Sequence, residues 1–209
     1  MLIVPKFNLI FVHIPKTGGK SFSRCVQKHY NKLFPNELKQ SLLRYDLINN
    51  RPMETHSTAS EIRTAVGETF YKKANKICFV RNPYDRLVSL HFYGKAKIKD
   101  YKPKTFTEYK EYLKNNPSKI CDTNNNIRFF TKPQSFYIDE SIDIIKNIST
   151  LNDTWDQIKN ELDLDLPELT HANKSEHKHW SNYYTPAELK FFKEYFKGDF
   201  ELFGGVFND

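Results

Sequence analysis

The most informative segment of this chain is His13-Ile14-Pro15-Lys16-Thr17-Gly18-Gly19-Lys20-Ser21. The residues that lead into it, 7–14, form a short apolar run rich in β-forming side chains, which predicts a buried strand. Residues 20–30 have helical character. We therefore expect residues 15–19, which we call the glycine loop, to connect a strand to the N-terminus of a helix.

The composition of the glycine loop and its flank is that of an anion site. Two glycines let the backbone approach a ligand and point N–H groups toward it, and the start of the following helix carries a partial positive charge. Lys16 adds a full charge, and Thr17 and Ser21 add hydroxyl donors. A turn that binds nothing is the alternative, but this clustering favours a phosphate ligand.

The same segment partly matches the nucleotide-binding P-loop, G-x-x-x-x-G-K-[ST]. Gly19-Lys20-Ser21 fits the last three positions, but the first glycine of that motif falls on Ile14. The segment therefore predicts a phosphate site without identifying a nucleoside triphosphate as its ligand.

A second segment, Phe79-Val80-Arg81-Asn82-Pro83-Tyr84-Asp85-Arg86-Leu87-Val88-Ser89, runs from another predicted buried strand, residues 76–80, into a helix. P-loop kinases and NTPases commonly end such a strand in an aspartate that helps to hold Mg²⁺. Here the strand ends in Arg81, which can recognise a phosphate directly, and Ser89 can offer a hydroxyl two turns further on. The pattern predicts a site for a dianionic phosphate that needs no metal.

The start of this second helix has its own signals. Asn82 is the predicted N-cap, Pro83 occupies the first helical position, and Asp85 can reach back to the cap. We interpret Asp85 and Arg86 as a helix-capping residue and a partner in a surface ion pair.

The remaining pattern predicts an α/β fold. Thr58-Ala59-Ser60-Glu61 fits a capping box that opens a helix ending near Gly67. Helices are also predicted over residues 106–114, 150–162 and 185–196, with possible strands at 135–138 and 142–148. Alternation of strands and helices predicts a central parallel sheet flanked by helices, with ligands bound at its carboxyl edge. We find no domain boundary and expect a single domain over residues 1–209.

The net charge and the cysteine content of the chain limit the kinds of partner and location that we expect. The 209 residues carry a formal net charge of +7, which favours anionic ligands, but the charge is spread along the chain, so we expect no nucleic acid partner. Three widely separated cysteines fit neither a disulfide framework nor a zinc site, which favours a reducing, cytoplasmic location. We recognise no signal peptide and no transmembrane segment.

Together the two segments resemble the sulfotransferase superfamily, which binds 3′-phosphoadenosine 5′-phosphosulfate (PAPS), and most closely the carbohydrate sulfotransferases that act on glycosaminoglycans and their bacterial relatives. There, H-I-P-K-T-G-G-[TS] holds the 5′-phosphosulfate and R-[ND]-P-x-[DE]-R-x-x-S binds the 3′-phosphate. Lys20 stands where Thr is usual, which leaves open whether Thr17 or Ser21 contacts the phosphate. Weaker likenesses follow at Gln134-Ser135-Phe136, at His171-Ala172-Asn173-Lys174-Ser175 and over residues 183–203.

The resemblance implies a P-loop-kinase-like sulfotransferase fold and metal-independent transfer of a sulfuryl group from PAPS to a hydroxyl group of a carbohydrate or glycolipid. We expect Lys16 to be catalytic, because a cation there can stabilise the charge that grows on the departing phosphate. The expected PAPS-binding residues, of which the last two form a late anion clamp, are Pro15, Lys16, Thr17, Gly18, Gly19, Lys20, Ser21, Arg81, Ser89, Lys174 and Ser175.

His56 is the predicted general base, because histidine titrates nearest neutral pH and can take the proton of an acceptor hydroxyl. It lies between the two phosphate segments, in a His56-Ser57-Thr58-Ala59 context similar to the H-x-x-A of sugar sulfotransferases. His13 is expected to pack beneath the glycine loop, and His29 and His91 lie along helices away from it. His171 is the next candidate, and a capping role for His56 is the alternative.

Other interpretations stay open at this point. A P-loop kinase using ATP and Mg²⁺ and a non-catalytic PAPS- or nucleotide-binding module are the competing functions. His177 and His179 are spaced as a metal-binding pair, although a solvated loop is favoured. Trp155 and Trp180 are expected to pack rather than to act as platforms for sugars.

Overall fold

The computed structural model describes residues 1–35, 45–46, 51–97, 102–115, 131–169 and 177–207. The chain divides into two compact units. The first comprises Met1–Val80 and Ser135–Ala172, and the second comprises Arg81–Gln134 and Asn173–Asp209. The expectation of a single domain over the whole chain stays a prediction.

A mixed sheet forms the centre of the first unit. The six described strands are β1 (Leu2–Val4), β2 (Leu9–Val12), β3 (Tyr45–Asp46), β4 (Arg51–Pro52), β5 (Asn75–Val80) and β6 (Ile144–Asn147). Four of them pair in the order β1-β2-β5-β6, and β3 pairs separately with β4. Strands β2, β5 and β6 are parallel, whereas β1 is antiparallel to β2. The predicted parallel sheet is confirmed for three strands, and the antiparallel edge strand β1 was not predicted.

Helices follow or connect these strands. In the described residues they are α1 (Gly19–Leu33), α2 (Ala59–Val66), α3 (Glu68–Lys73), α4 (Pro83–Lys97), α5 (Phe106–Asn115), α6 (Trp155–Leu162), α7 (Pro186–Tyr195) and α8 (Lys197–Phe203). The first three and α6 belong to the first unit, and the others to the second. The α/β class expected from the alternation of elements is confirmed.

The sheet of the first unit is buried on both faces. Alternate side chains of β1, β2 and β5 form one core cluster with α1 and α6, whose members include Leu9, Phe11, Phe79, Phe22 and Trp155. The intervening residues of β2 and β5, such as Ile10 and Cys78, are also fully buried. Burial on both faces explains why these strands are continuously apolar. It also places Trp155 in the core, as predicted.

The second unit has its own aromatic core. Its buried members are Tyr84, Leu87, Val88, Leu90, Phe106, Tyr109, Leu113, Phe192 and Phe196. Trp180 stacks on Tyr84 with ring centroids 5.1 Å apart, so its contacts are those of a packing residue. This core is built from the apolar faces of α4, α5 and α7, which is the usual way that amphipathic helices are stabilised.

The predicted helix starts at Thr58 and Thr185 are confirmed. Each threonine accepts a hydrogen bond from the backbone N–H three residues later, and the glutamate at that position accepts one from the threonine N–H, which completes both capping boxes. Asn82 precedes α4, and its Oδ1 accepts a hydrogen bond from Tyr84 N at 2.9 Å.

Two sequence interpretations were wrong. The predicted strand at residues 135–138 is absent, and a 3₁₀ helix, Gln134–Phe136, lies there instead; Pro133 before it supplies no N–H for a strand ladder. Arg86 is not a surface residue: it is 1% exposed, its Nη2 donates to Lys132 O, and its guanidinium lies 5.9 Å from the ring centre of Phe196. Helical geometry rotates Arg86 about 100° from Asp85 and turns it toward the core.

In the parts of the chain that the structure describes, no helix is both long enough and apolar enough to cross a bilayer. Cys25 and Cys78 are buried free thiols, and burial raises the pKa of Cys25 to about 11. Both side chains therefore stay protonated near neutral pH.

Candidate active site

The glycine loop takes an uncommon backbone course. Lys16 has a φ of 67° and Gly18 a φ of 80°, both in the left-handed region. A non-glycine residue there stores strain, which proteins keep mostly at functional positions. Because Lys16 sits at the turn itself, its conformation is set by the loop rather than by a regular element.

Both glycines of the loop lie close to neighbouring side chains, and Gly18 also has a positive φ. A Cβ on Gly18 would lie 2.5 Å from Cδ1 of Ile148, and a Cβ on Gly19 would lie 2.2 Å from Cδ2 of His13. Neither distance is possible without movement of a neighbour. The loop therefore lies directly against the ring of His13, a buried residue that packs beneath it as predicted.

The two hydroxyls near the loop have different surroundings. Thr17 is fully buried, and its Oγ1 donates to Ile14 O at 2.9 Å. Ser21 is half-buried on the first turn of α1, and its N–H donates to Gly18 O at 2.9 Å. The proton of Thr17 thus closes the loop internally, which favours Ser21 as the hydroxyl that faces a ligand.

The N-terminus of α1 begins within the loop. Gly18 is the N-cap and offers no side chain to the helix, no acidic residue lies in the first turn, and the helix continues for 15 residues to Leu33. A helix start without side-chain capping or acidic groups suits an anion. Pro15 is buried at the entry to the loop, and Lys20 is exposed just after it.

His56 is anchored to the start of this segment. Its Nδ1 lies 2.7 Å from the carbonyl oxygen of His13, and the two imidazole ring centres are 4.6 Å apart. A carbonyl can only accept, so Nδ1 carries the proton and the lone pair of the neutral ring is on Nε2. Ser57, beside His56, donates through its N–H and its Oγ to Glu54 O, so the turn before α2 is well defined.

The other described histidines are in packing or capping environments. His29 lies against Phe7, and His91 is buried among aromatic rings, where burial first and Lys95 second lower its pKa to about 4. His179 accepts from Ser181 N, and the Nδ1 of His177 lies 2.8 Å from Lys178 O. No group of three potential metal ligands occurs among the described residues, so none of them adds a third ligand to His177 and His179.

In the second unit, Arg81 lies at the head of α4 and pairs with Asp85. Arg81 Nε donates to Asp85 Oδ2 at 2.6 Å, and both side chains are largely buried. The predicted capping role of Asp85 stays a prediction, and its carboxylate also engages Arg81. Ser89 is buried one turn beyond Asp85. Asp85 and Ser89 are four positions apart in α4 and share a face of the helix, and Arg81, which precedes the helix, pairs with Asp85.

Gln134 was not predicted as part of the site. Its Oε1 accepts from Arg81 N at 2.9 Å, and its Nε2 donates to Arg81 O at 2.8 Å and to Asp199 Oδ2 at 3.3 Å. Gln134 and Asp199 are both fully buried. The only sequence signal was the weak resemblance of Gln134-Ser135-Phe136 to a family segment, which suggested a strand rather than a side-chain contact.

Lys174 and Ser175, the predicted anion clamp, lie outside the described residues, as does His171. Their proposed roles stay predictions. The other ten predicted site residues fall into two groups, one in the glycine loop, its flank and His56, and the other comprising Arg81 and Ser89.

Comparison with known proteins identifies the family and the fold of this chain. A sequence profile described as "Sulfotransferase family" matches residues 1–207. The chain is similar to the crystal structure of mouse sulfotransferase SULT7A1 complexed with PAP, with a TM-score of 0.54 and 14% identity; the match covers 92% of this chain and 84% of that one. At this identity the likeness establishes the fold. No curated protein matches the sequence.

Proposed function

Because this chain belongs to the sulfotransferase family, a family of PAPS-dependent enzymes, we propose that it transfers the sulfuryl group of PAPS to a hydroxyl group of a carbohydrate. Sulfuryl transfer from PAPS follows from the family. The carbohydrate acceptor and the roles of individual residues are the proposal. The observation that carries the assignment of the general base is the 2.7 Å contact that anchors His56 to the carbonyl of His13, at the start of the glycine loop.

The glycine loop suits the 5′-phosphosulfate end of the donor. Backbone N–H groups at the start of α1, the Lys16 ammonium and the Ser21 hydroxyl all offer donors to an anion. Gly18 and Gly19 lie so close to Ile148 and His13 that a side chain at either position would meet these neighbours. In the proposal Pro15, Thr17 and Lys20 complete the loop contacts or hold the loop in shape.

Arg81 and Ser89 suit the 3′-phosphate of the same donor. Asp85 engages Nε of Arg81 and thereby orients the guanidinium plane, whose planar fork matches a phosphate. The arginine replaces the acidic residue that would bind Mg²⁺ in a kinase. The 3′-phosphate is therefore proposed to be bound by side chains of the protein, Arg81 and Ser89.

The proposed reaction is a single displacement at sulfur. The acceptor oxygen forms a bond to sulfur while the bond between sulfur and the bridging phosphate oxygen breaks, which yields the sulfate ester and PAP. His56 Nε2 takes the hydroxyl proton, while Nδ1–H stays hydrogen-bonded to the carbonyl oxygen of His13. Lys16 stabilises the negative charge that grows on the bridging and phosphate oxygens of PAP.

A carbohydrate acceptor is supported by two features. The segments at residues 13–21 and 81–89 resemble those of carbohydrate sulfotransferases, and the net charge of +7 favours an anionic polymer such as an acidic polysaccharide. A glycolipid presents the same hydroxyl chemistry. The cytoplasmic location stays a prediction.

The test is transfer of isotopically labelled sulfate from PAPS to a panel of polysaccharides and glycolipids, with products read by mass. We expect label on at least one carbohydrate and an equal amount of PAP. Absence of label from every sugar hydroxyl of the panel, although PAP is released from PAPS, would refute the carbohydrate acceptor. PAP binding without any transfer would favour the non-catalytic module.

A thermal-shift comparison separates the remaining alternative. PAP alone should raise the melting temperature, whereas ATP with Mg²⁺ should not. Stabilisation by ATP with Mg²⁺ and not by PAP would identify a P-loop kinase and overturn the proposal.

A further inference from the structure

We propose that Gln134 is a positioning residue for donor recognition, because its side-chain amide holds both backbone hydrogen-bonding groups of Arg81. This inference rests on the proposed function, in which Arg81 binds the 3′-phosphate of PAPS. In this inference Gln134 itself does not contact the donor. Its effect on binding passes through Arg81.

The contacts are reciprocal and well formed. Arg81 N–H donates to Oε1 of Gln134 at 2.9 Å, and Nε2 of Gln134 donates to Arg81 O at 2.8 Å. A primary amide presents one acceptor and two donors in a plane, so it can satisfy the N–H and C=O of one residue as a neighbouring strand does. Arg81 immediately follows the last residue of β5, so the amide satisfies its backbone where the strand ends.

A third bond fixes the orientation of the amide. The second proton of Nε2 is directed to Asp199 Oδ2 at 3.3 Å, and a carboxylate can only accept. The nitrogen must therefore face Asp199 and Arg81 O, which leaves the oxygen toward Arg81 N. Because Gln134 and Asp199 are fully buried, the amide cannot exchange these bonds for water without exposing a desolvated group.

Main chain and side chain of Arg81 are thus held by different residues. Gln134 sets the backbone, and Asp85 takes Nε of the guanidinium at 2.6 Å. A bidentate phosphate contact depends on the placement of the guanidinium plane. Because the arginine side chain is long, a small rotation of its backbone would displace this plane. Loss of the amide should therefore impair the 3′-phosphate contact more than any contact at the other end of the donor.

The test is a double-mutant cycle on PAP affinity measured by calorimetry, with adenosine 5′-phosphosulfate as the ligand that lacks the 3′-phosphate. Gln134→Leu keeps the size of the side chain and removes all three bonds. We expect it to raise the Kd for PAP about tenfold and the Kd for adenosine 5′-phosphosulfate by less than about threefold. In an Arg81→Ala background, the same substitution should change PAP affinity by less than about twofold.

A merely structural role predicts a different pattern. In that case Gln134→Leu would weaken both ligands equally and would add its full effect to Arg81→Ala, and the inference would be overturned. The matched control is Gln157→Leu, because Gln157 is an exposed glutamine whose Nε2 donates only to Glu161 on the same helix. It should leave both affinities unchanged.

Two further measurements test the inference if Gln134→Leu folds poorly. Gln134→Glu can still accept from Arg81 N but cannot donate to Arg81 O, so it should also weaken PAP selectively. In the wild-type protein, the backbone amide of Arg81 should exchange with solvent slowly when measured by NMR. Rapid exchange would refute the contact between Gln134 and Arg81 without the need for a variant. If wild-type protein fails to bind PAP at all while the Arg81 amide is protected, the proposed function fails and the contact itself stands.

Discussion

The imidazole Nδ1 of His56 lies 2.7 Å from the carbonyl oxygen of His13. His13 begins the segment that contains Lys16, so one backbone carbonyl links the proposed base to the loop that carries the proposed catalytic cation. The contact selects the tautomer with a basic Nε2. A base so oriented has lost rotational freedom before the acceptor arrives, which is a favourable arrangement for proton transfer.

Substitution of His56 should affect turnover rather than donor binding. We expect His56→Ala to lower kcat by about 10²–10⁴-fold, because general-base catalysis typically contributes that much, while PAP affinity stays near that of wild type. The wild-type rate should fall as pH is lowered, because a protonated Nε2 cannot accept the hydroxyl proton. That acid limb should be absent from the His56→Ala profile.

The matched control for this experiment is His179→Asn, which replaces an exposed histidine outside the proposed site and preserves its capping function. Its pH–rate profile should match that of wild type. Near-normal turnover of His56→Ala would contradict the assignment and would make His171 the next residue to test.

Two substitutions of Lys16 should have the same effect on activity but different effects on stability. Both Lys16→Ala and Lys16→Gly remove the ammonium, so each should lower kcat by roughly 10²–10³-fold. Only glycine tolerates the φ of 67° without strain, so Lys16→Gly should be more stable than Lys16→Ala by about 1 kcal/mol in denaturant unfolding. Equal stabilities would mean that the loop relaxes on substitution.

Lys28→Ala is the charge-matched control for Lys16, since Lys28 is exposed further along α1. It should leave kcat unchanged. A Lys16 variant that loses PAP affinity but retains kcat would show that Lys16 only binds the donor.

The two hydroxyls near the loop should respond differently. Ser21→Ala should raise the Kd for PAP about tenfold, as expected for loss of a hydrogen bond to a charged group worth roughly 1.5 kcal/mol. Thr17→Val should instead lower the free energy of unfolding by about 1 kcal/mol, because Ile14 O loses its donor. Calorimetry and denaturant unfolding of both variants check this division. A larger affinity loss in Thr17→Val would reverse the assignment.

Arg81 and Ser89 should discriminate between ligands with and without a 3′-phosphate. Arg81→Ala should cost about 10- to 150-fold in PAP affinity, from a charged hydrogen bond worth roughly 1.5–3 kcal/mol, and Ser89→Ala should cost less. Adenosine 5′-phosphosulfate should bind both variants nearly as well as it binds wild type. Equal losses for the two ligands would make Arg81 a purely structural residue.

Donor binding should be independent of divalent metal. The proposed contacts to phosphate come from Lys16, Arg81 and backbone N–H groups, so PAP should bind in excess EDTA with the affinity measured in Mg²⁺. Calorimetry in the two buffers provides the measurement. Binding that EDTA abolishes and Mg²⁺ restores would contradict this prediction.

Local signals in the sequence identified most of the elements that frame the site. The apolar run before Lys16, the two glycines and the capping box at Thr58 each depend on interactions within a few residues, and the structure has β2, the loop and α2 where these patterns placed them. Such features are readable because backbone geometry and capping are short-range. The edge strand β1 was missed because the apolar pattern of residues 2–4 does not indicate which strand they pair with.

Contacts between residues distant in sequence could not be predicted from local patterns. Arg86 follows Asp85 in a polar run and looks exposed, yet the packing of α4 buries it. Gln134 is 53 positions from Arg81, and nothing in its neighbours indicates that its amide closes the backbone of that arginine. Both outcomes depend on tertiary packing, which local periodicity does not encode.

By itself, the sequence determined the α/β class and the strand–loop–helix unit around Lys16, because residue type and spacing specify these locally. The role of His56 as the base stays a prediction. Only the tertiary structure decided that His56 presents Nδ1 to the carbonyl of His13, 43 positions away, and that the proton of Thr17 is used within the loop. The physical reason is that hydrogen-bond direction depends on where folding brings donors and acceptors together, and a linear pattern carries no record of that geometry.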